Sequence, residues 1–160
     1  MSAGSLIPPP ATGSPSMRSP DQAVWDFVQQ WLEKARQDLL AAETLLQSGF
    51  VEGAIVGFHA QQAAEKFIKA LLVRHQVPFA KTHDLTLLRQ HVSAVDSTLA
   101  GNLTPADALT PYGVDHRYPG GAASITRAEA EQAVRTAQQV RDLVLAALAS
   151  YLTSGRPGGP

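Results

Sequence analysis

Apolar residues at Trp25, Val28, Leu32, Ala35, Leu39, Ala42 and Leu46 recur at alternating steps of three and four, the seam of a long amphipathic helix. Ser19-Pro20-Asp21-Gln22 supplies its start, with Ser19 as N-cap, Pro20 at the first helical position and Gln22 able to reach back. Gly49 stands where a terminating glycine belongs. A second helix is expected from near Val51 until Pro78 forbids it. At 100° per residue, Val56, Ala60, Ala63, Ala64, Phe67, Ile68, Ala70 and Leu71 share an arc of roughly 160°. His59, Gln62, Lys66 and Lys69 gather opposite them, with Gln61 and Glu65 at the edge of that polar arc.

Thr82 is the expected N-cap of a third helix carrying Leu85, Leu88, Val92 and Val95. Thr104-Pro105 opens another short helix that Pro111 limits to about two turns. Tyr112 to Gly121 reads as a loop, and Thr126-Arg127-Ala128-Glu129 is a capping box. It starts a last helix with Val134, Ala137, Val140, Val144, Leu148 and Tyr151 on one side. No alternating strand pattern bounded by turns is present. The expected fold is all-α, an antiparallel up-down four-helix bundle with a short fifth helix in the third connection.

Composition narrows the chemistry. The 160 residues make one domain's worth, enough to build a core without metal or disulfide staples. The absence of cysteine excludes disulfides, thiolate metal sites and cysteine nucleophiles. It fits a cytoplasmic location, and no apolar run approaches a membrane span. Residues 1–18, rich in proline, serine and glycine, are expected to be a disordered tail; 19–153 form the bundle; 154–160 are a second frayed end. A net charge of -1 leaves no global field, so any pull on an anion must be local.

The five histidines form no HxxxH pair and there is no ExxH motif, so neither a metal site nor a cofactor is expected. Phosphate-cradling glycine loops and the GxSxG elbow are also absent. The segment from Lys66 to His91 stands apart. It carries Lys66, Lys69, Arg74, Lys81 and Arg89 with three histidines, against the single acid Asp84. One reading is a phosphate-binding face; the other is an ordinary solvated face whose charge is offset elsewhere in the fold. Lys81-Thr82-His83-Asp84 is open in the same way, either a helix cap or an anion site built on free helix-start amides. Arg117 and Tyr118 lie in a loop, where they could hold a phosphate and stack on a base, or plug the end of the bundle.

The order of these pieces resembles a known family. Trp31, Ala35, Asp38, Leu39, Ala42, Leu45 and Leu46 lead to Gly49, then QQAAEKFIKALL, KTHDL, HRYP and a long alanine-rich helix. This is similar to the HEPN domain (higher eukaryotes and prokaryotes nucleotide-binding), over roughly Trp25 to Leu152. The resemblance implies a four-helix bundle with a short fifth helix, usually a homodimer, similar to the helical domain attached to some nucleotidyltransferases. It also implies pairing of stand-alone prokaryotic members with a minimal nucleotidyltransferase, as toxin and antitoxin. Many members are metal-independent ribonucleases that carry an arginine and, about four to six residues later, a histidine that can act as the base. No arginine of this chain is followed by histidine at that spacing.

The expected function is therefore a non-catalytic module that binds a nucleotide or RNA phosphate, with no catalytic residues assigned. Lys66, Lys69, Lys81, His83, Arg117 and Tyr118 are its candidate contacts, and a homodimer and a nucleotidyltransferase its candidate partners. The alternatives are a ribonuclease toxin using His83 with Arg117 or His116, and a purely structural dimerisation bundle.

Overall fold

The structure, a computed structural model, describes residues 17–49, 52–114 and 124–159. Its helices are α1 (Pro20–Gln47), α2 (Gly53–Arg74), α3 (Leu85–Val92), α4 (Ser97–Asn102) and α5 (Arg127–Ser154), with a 3₁₀ segment at Thr104–Gly113. Both capping boxes form. Gln22 N donates to Ser19 Oγ at 3.2 Å and Ser19 N to Gln22 Oε1 at 3.1 Å, while Glu129 N donates to Thr126 Oγ1 and Thr126 N to Glu129 Oε2. Gly49 takes the left-handed conformation that ends α1, with φ 79°.

The architecture is an all-helical bundle with α2 at its centre. Trp31 and Asp38 of α1 face Lys69, His59 and Lys66 of α2, so these two helices run antiparallel. Gly53 packs on Ile125 and Arg74 on Tyr151, so α5 runs alongside α2 in the same direction. Packed on several sides, α2 buries most of its length, from Val56 through Phe67 and Ile68 to Val73. Val28, Leu32, Ala35 and Leu39 of α1, and Ala137, Val140, Val144 and Leu148 of α5, close the core around it. No helix of the described residues is long and apolar enough to cross a membrane.

Three details differ from the sequence reading. Asp84, and not Thr82, caps α3, its Oδ1 accepting from Thr86 N at 2.9 Å and Leu87 N at 3.2 Å. The third helix is also short: α3 stops at Val92 and Asp96 caps a new start, so Val95 sits in a turn instead of on a continuing seam. The C-terminal end, expected to fray, turns back onto α1. Arg156 Nε and Nη2 donate to Asp26 at 2.9 and 3.1 Å, and Gln22 Nε2 donates to the Pro157 carbonyl at 2.9 Å. Most of the expected N-terminal tail, residues 1–16, lies outside the described residues.

The start of α2 carries no side chain where other segments cross it. A Cβ on Gly53 would sit 2.5 Å from the Ile125 carbonyl oxygen, and one on Gly57 would sit 3.0 Å from the Tyr112 ring. Gly101 in α4 is different, with open space where its Cβ would go. Gly53→Ala should therefore lower stability by about 1–3 kcal/mol in denaturant unfolding, through overpacking against backbone. Gly101→Ala should be neutral or stabilising, by up to about 1 kcal/mol.

Candidate functional site

The polar face of α2 is built around two carboxylates. Glu65 is only 2% exposed, and its two oxygens are shared among four donors. Lys69 Nζ donates to Oε1 at 2.6 Å, while Gln61 Nε2 at 3.0 Å, His83 Nδ1 at 3.0 Å and Gln62 Nε2 at 3.4 Å meet Oε2. Burial alone would push the Glu65 carboxyl up; the Lys69 ammonium and the hydrogen bonds from Lys69, His83 and Gln61 outweigh it and hold the group below its usual range. Lys69 is itself buried, with its ammonium 5.4 Å from the Trp31 ring centroid and 5.7 Å from that of Phe79.

The same cluster fastens the segment leading into α3. Lys69 Nζ donates to the Thr82 carbonyl at 3.1 Å, and Gln61 Nε2 to the His83 carbonyl at 3.1 Å. Gly113 packs against the Gln61 side chain, where a Cβ would meet the carboxamide carbon at 2.9 Å. Because an ionised carboxylate only accepts, Glu65 requires the hydrogen of a neutral His83 ring on Nδ1. That leaves Nε2 with its lone pair, on a side chain that is 56% exposed.

Asp38 of α1 repeats the arrangement on the other side of the strip. Its Oδ1 meets His59 Nδ1 at 2.9 Å, and its Oδ2 accepts from Lys66 Nζ. His59 and Lys66 remain partly exposed. Two imidazoles, each held through Nδ1 by a carboxylate and each backed by a lysine on that carboxylate, thus lie along one face.

The structure sorts the candidate residues. Lys69 and His83 are brought together on Glu65, whereas Lys66 is drawn to Asp38. Lys69 is not on a solvated face, because Trp31, Phe79 and the Thr82 carbonyl close over it. Lys81 and His83 are exposed. Arg117 and Tyr118 lie outside the described residues. The helix-start anion site does not form: the amides of Thr86 and Leu87 go to Asp84, Leu85 N donates to Thr110 Oγ1, and Asp84 N donates to Thr82 Oγ1. The basic segment is largely neutralised by acids that the fold brings to it, since Arg89 also makes a two-pronged pair with Asp107 at 2.9 and 2.8 Å. Among the described residues no cluster of acids and histidines could hold a metal ion.

Sequence reasoning missed Glu65, Gln61 and Asp38 as organisers. Glu65 and Lys69 do stand at the i,i+4 spacing of a helical ion pair, but that spacing is equally common on surfaces. The crossing of the 79–84 segment over α2, together with Trp31 of α1, buries them.

Removing one partner of this pair should be far more costly than removing both. Glu65→Ala leaves the Lys69 ammonium buried without a counter-charge, and should cost about 3–5 kcal/mol in denaturant unfolding. Glu65→Leu/Lys69→Met should cost less than Glu65→Ala. The pH dependence follows from the depressed Glu65 carboxyl. Its contribution is complete above the unfolded glutamate's titration, and is lost as pH falls through the lower folded value. The double variant should lose less stability between neutral and acid pH than the unsubstituted protein.

The comparisons with known proteins agree with this fold. The HEPN domain family model matches residues 28–147. The fold is also similar to the crystal structure of TT1696 from Thermus thermophilus, at 30% identity and a TM-score of 0.57, covering 73% of this chain and 94% of that one. ST0689, an archaeal HEPN homologue, has a similar fold at 22% identity and a TM-score of 0.58, covering 76% of this chain and 97% of that one. No curated protein matches the chain. A family match across most of the bundle, with the α2 polar face and the segment leading into α3 inside it, makes this chain a member of the HEPN domain family.

Proposed function

We propose that this HEPN module binds a nucleotide or RNA on the open strip of α2 and the adjoining 81–83 segment, without cutting it. The observation that supports the reading is the exposed His83 ring held through Nδ1 by a buried carboxylate. A fixed ring with an outward lone pair is suited to accept a hydrogen bond from a ribose hydroxyl. Exposed Lys81, two residues away, supplies the phosphate contact, and Lys66 and Gln62 extend the polar strip. Lys69 acts in this reading from beneath, by fixing Glu65.

A ribonuclease reading draws on the same feature, because a carboxylate-held imidazole is also the arrangement of a general base. It lacks the family's arginine–histidine spacing. A single experiment separates the two. His83→Ala and Lys81→Ala should each weaken binding of a short RNA about tenfold, and Lys81→Ala should also flatten its salt dependence. RNA should stay intact. Loss of RNA in the presence of the unsubstituted protein, absent with His83→Ala, would establish the enzyme; no binding by any variant would remove both readings.

The module is proposed to act as a homodimer, with a minimal nucleotidyltransferase as the partner class to test by co-purification. Ile55, 43% exposed at the start of the open α2 strip, and Leu40, 63% exposed on α1, are the apolar surface that supports an interface. Light scattering should give twice the chain mass at micromolar concentration. Ile55→Asp should shift the mass toward the monomer with the helical content retained.

A further inference from the structure

Arg74 ends α2 and differs from the other cations of the basic segment that the bundle has neutralised. Its guanidinium carbon lies 4.1 Å from the centroid of the Tyr151 ring, which itself packs at 4.9 Å on Trp25. Among the described residues no carboxylate lies within ion-pair distance of it, whereas Lys66, Lys69 and Arg89 each have one. Stacking occupies one face of the guanidinium and leaves its in-plane N–H groups to donate as a fork.

Those donors border a cleft of about 490 Å³ between the ends of α1, α2 and α5, lined also by Asp21, Val24, Gln76 and Pro157. That volume lies within the roughly 300–1,000 Å³ of small-molecule sites. Two of its walls carry signs of construction. Gln76 follows α2 in the left-handed conformation, φ 52°, where the turn is closed by Val77 N donating to the Leu72 carbonyl at 3.0 Å. Glycine fits that helix-ending position at no steric cost; here it is taken by a residue whose side chain lines the cleft. The opposite wall is the returning C-terminal end, turned at Gly155 with φ 75° and fastened by the Arg156–Asp26 pair and the Gln22–Pro157 hydrogen bond.

We infer that this cleft is a second binding site, separate from the α2 strip, for a small amphoteric molecule whose carboxylate or phosphate is taken by Arg74 and whose ammonium is taken by Asp21. Arg74 supplies the fork for one oxyanion. Asp21, exposed and lining the same cleft, repels a second negative charge and attracts an amine. A polyanion such as RNA is disfavoured here by that same aspartate. Val24 and the Tyr151 ring offer apolar cover to a short carbon linker between the two charged ends.

The test titrates the full chain with glycine, phosphoethanolamine and acetate, following the Trp25 indole and Gly155 amide by nitrogen–proton NMR. Glycine or phosphoethanolamine should give saturable shifts at these two positions, and which of them binds more tightly identifies the oxyanion. Arg74→Gln should weaken that binding about tenfold or more, the loss expected for a two-pronged charged hydrogen bond. Asp21→Asn, an exposed change that leaves the α1 capping box in place, should weaken the two ammonium-bearing probes and not acetate. His83→Ala should change neither, so failure of the α2 strip as a nucleotide site leaves this result standing. Absence of saturable shifts with both amphoteric probes up to about 50 mM, or equal affinity in Arg74→Gln, overturns the site. Acetate binding as tightly as glycine overturns the role of Asp21.

Discussion

The Glu65–Lys69 pair sits where the bundle could least easily do without it. An ion pair taken out of water gains little by itself, since desolvation of both charges opposes their attraction. Here the remaining bonding capacity of each partner is used on other parts of the chain. Glu65 collects Gln61 and His83, and Lys69 reaches the Thr82 carbonyl. The pair thus converts a polar strip on α2 into the floor on which the segment from Phe79 to Asp84 is laid. The register of α3 against α2, the exposure of His83 and the seating of Gly113 on Gln61 all depend on it.

The fold was legible because its signals are local. Ser19 with Gln22 and Thr126 with Glu129 announce two helix starts in four residues each, and Gly49 announces an end. The seams of α1 and α5 needed only their own periodicity. The candidate site was less legible because its burial is not a property of α2. A helical wheel places Lys69 opposite Phe67 and Leu71, and calls that side solvent. The side is covered by Phe79 and Thr82, more than two turns of helix further along the chain. Thr82 and Asp84 show the same limit: either could cap a helix, and the choice fell to Asp84 because the Thr82 and His83 carbonyls are tied back to α2.

Charge density along a sequence is likewise a poor guide to field in the fold. Lys66, Lys69 and Arg89 look like a run of available cations when read in order. Asp38, Glu65 and Asp107, drawn from α1, α2 and the 3₁₀ segment, each neutralise one of them. The donors of the segment that lack such a counter-charge are therefore spread thinly: Lys81, with His83 beside the middle of α2, and Arg74 at its C-terminal end. Such a distribution provides single placed donors more than a general attraction for negative charge.

The central placement of α2 also has a consequence for how the chain is made. During synthesis α2 emerges before α3 and α5, and its packing against them is complete only when they have arrived. Until then the nascent α1–α2 hairpin carries an open apolar face together with the unsheltered charges of Glu65 and Lys69. Ion pairing within one helix can form at once, and its charges keep the unfinished hairpin from presenting apolar surface alone, which disfavours sticking to other unfinished chains. The buried pair thus serves the polypeptide first as a solubilising feature of an incomplete protein, and becomes an anchor only when the 79–84 segment closes over it.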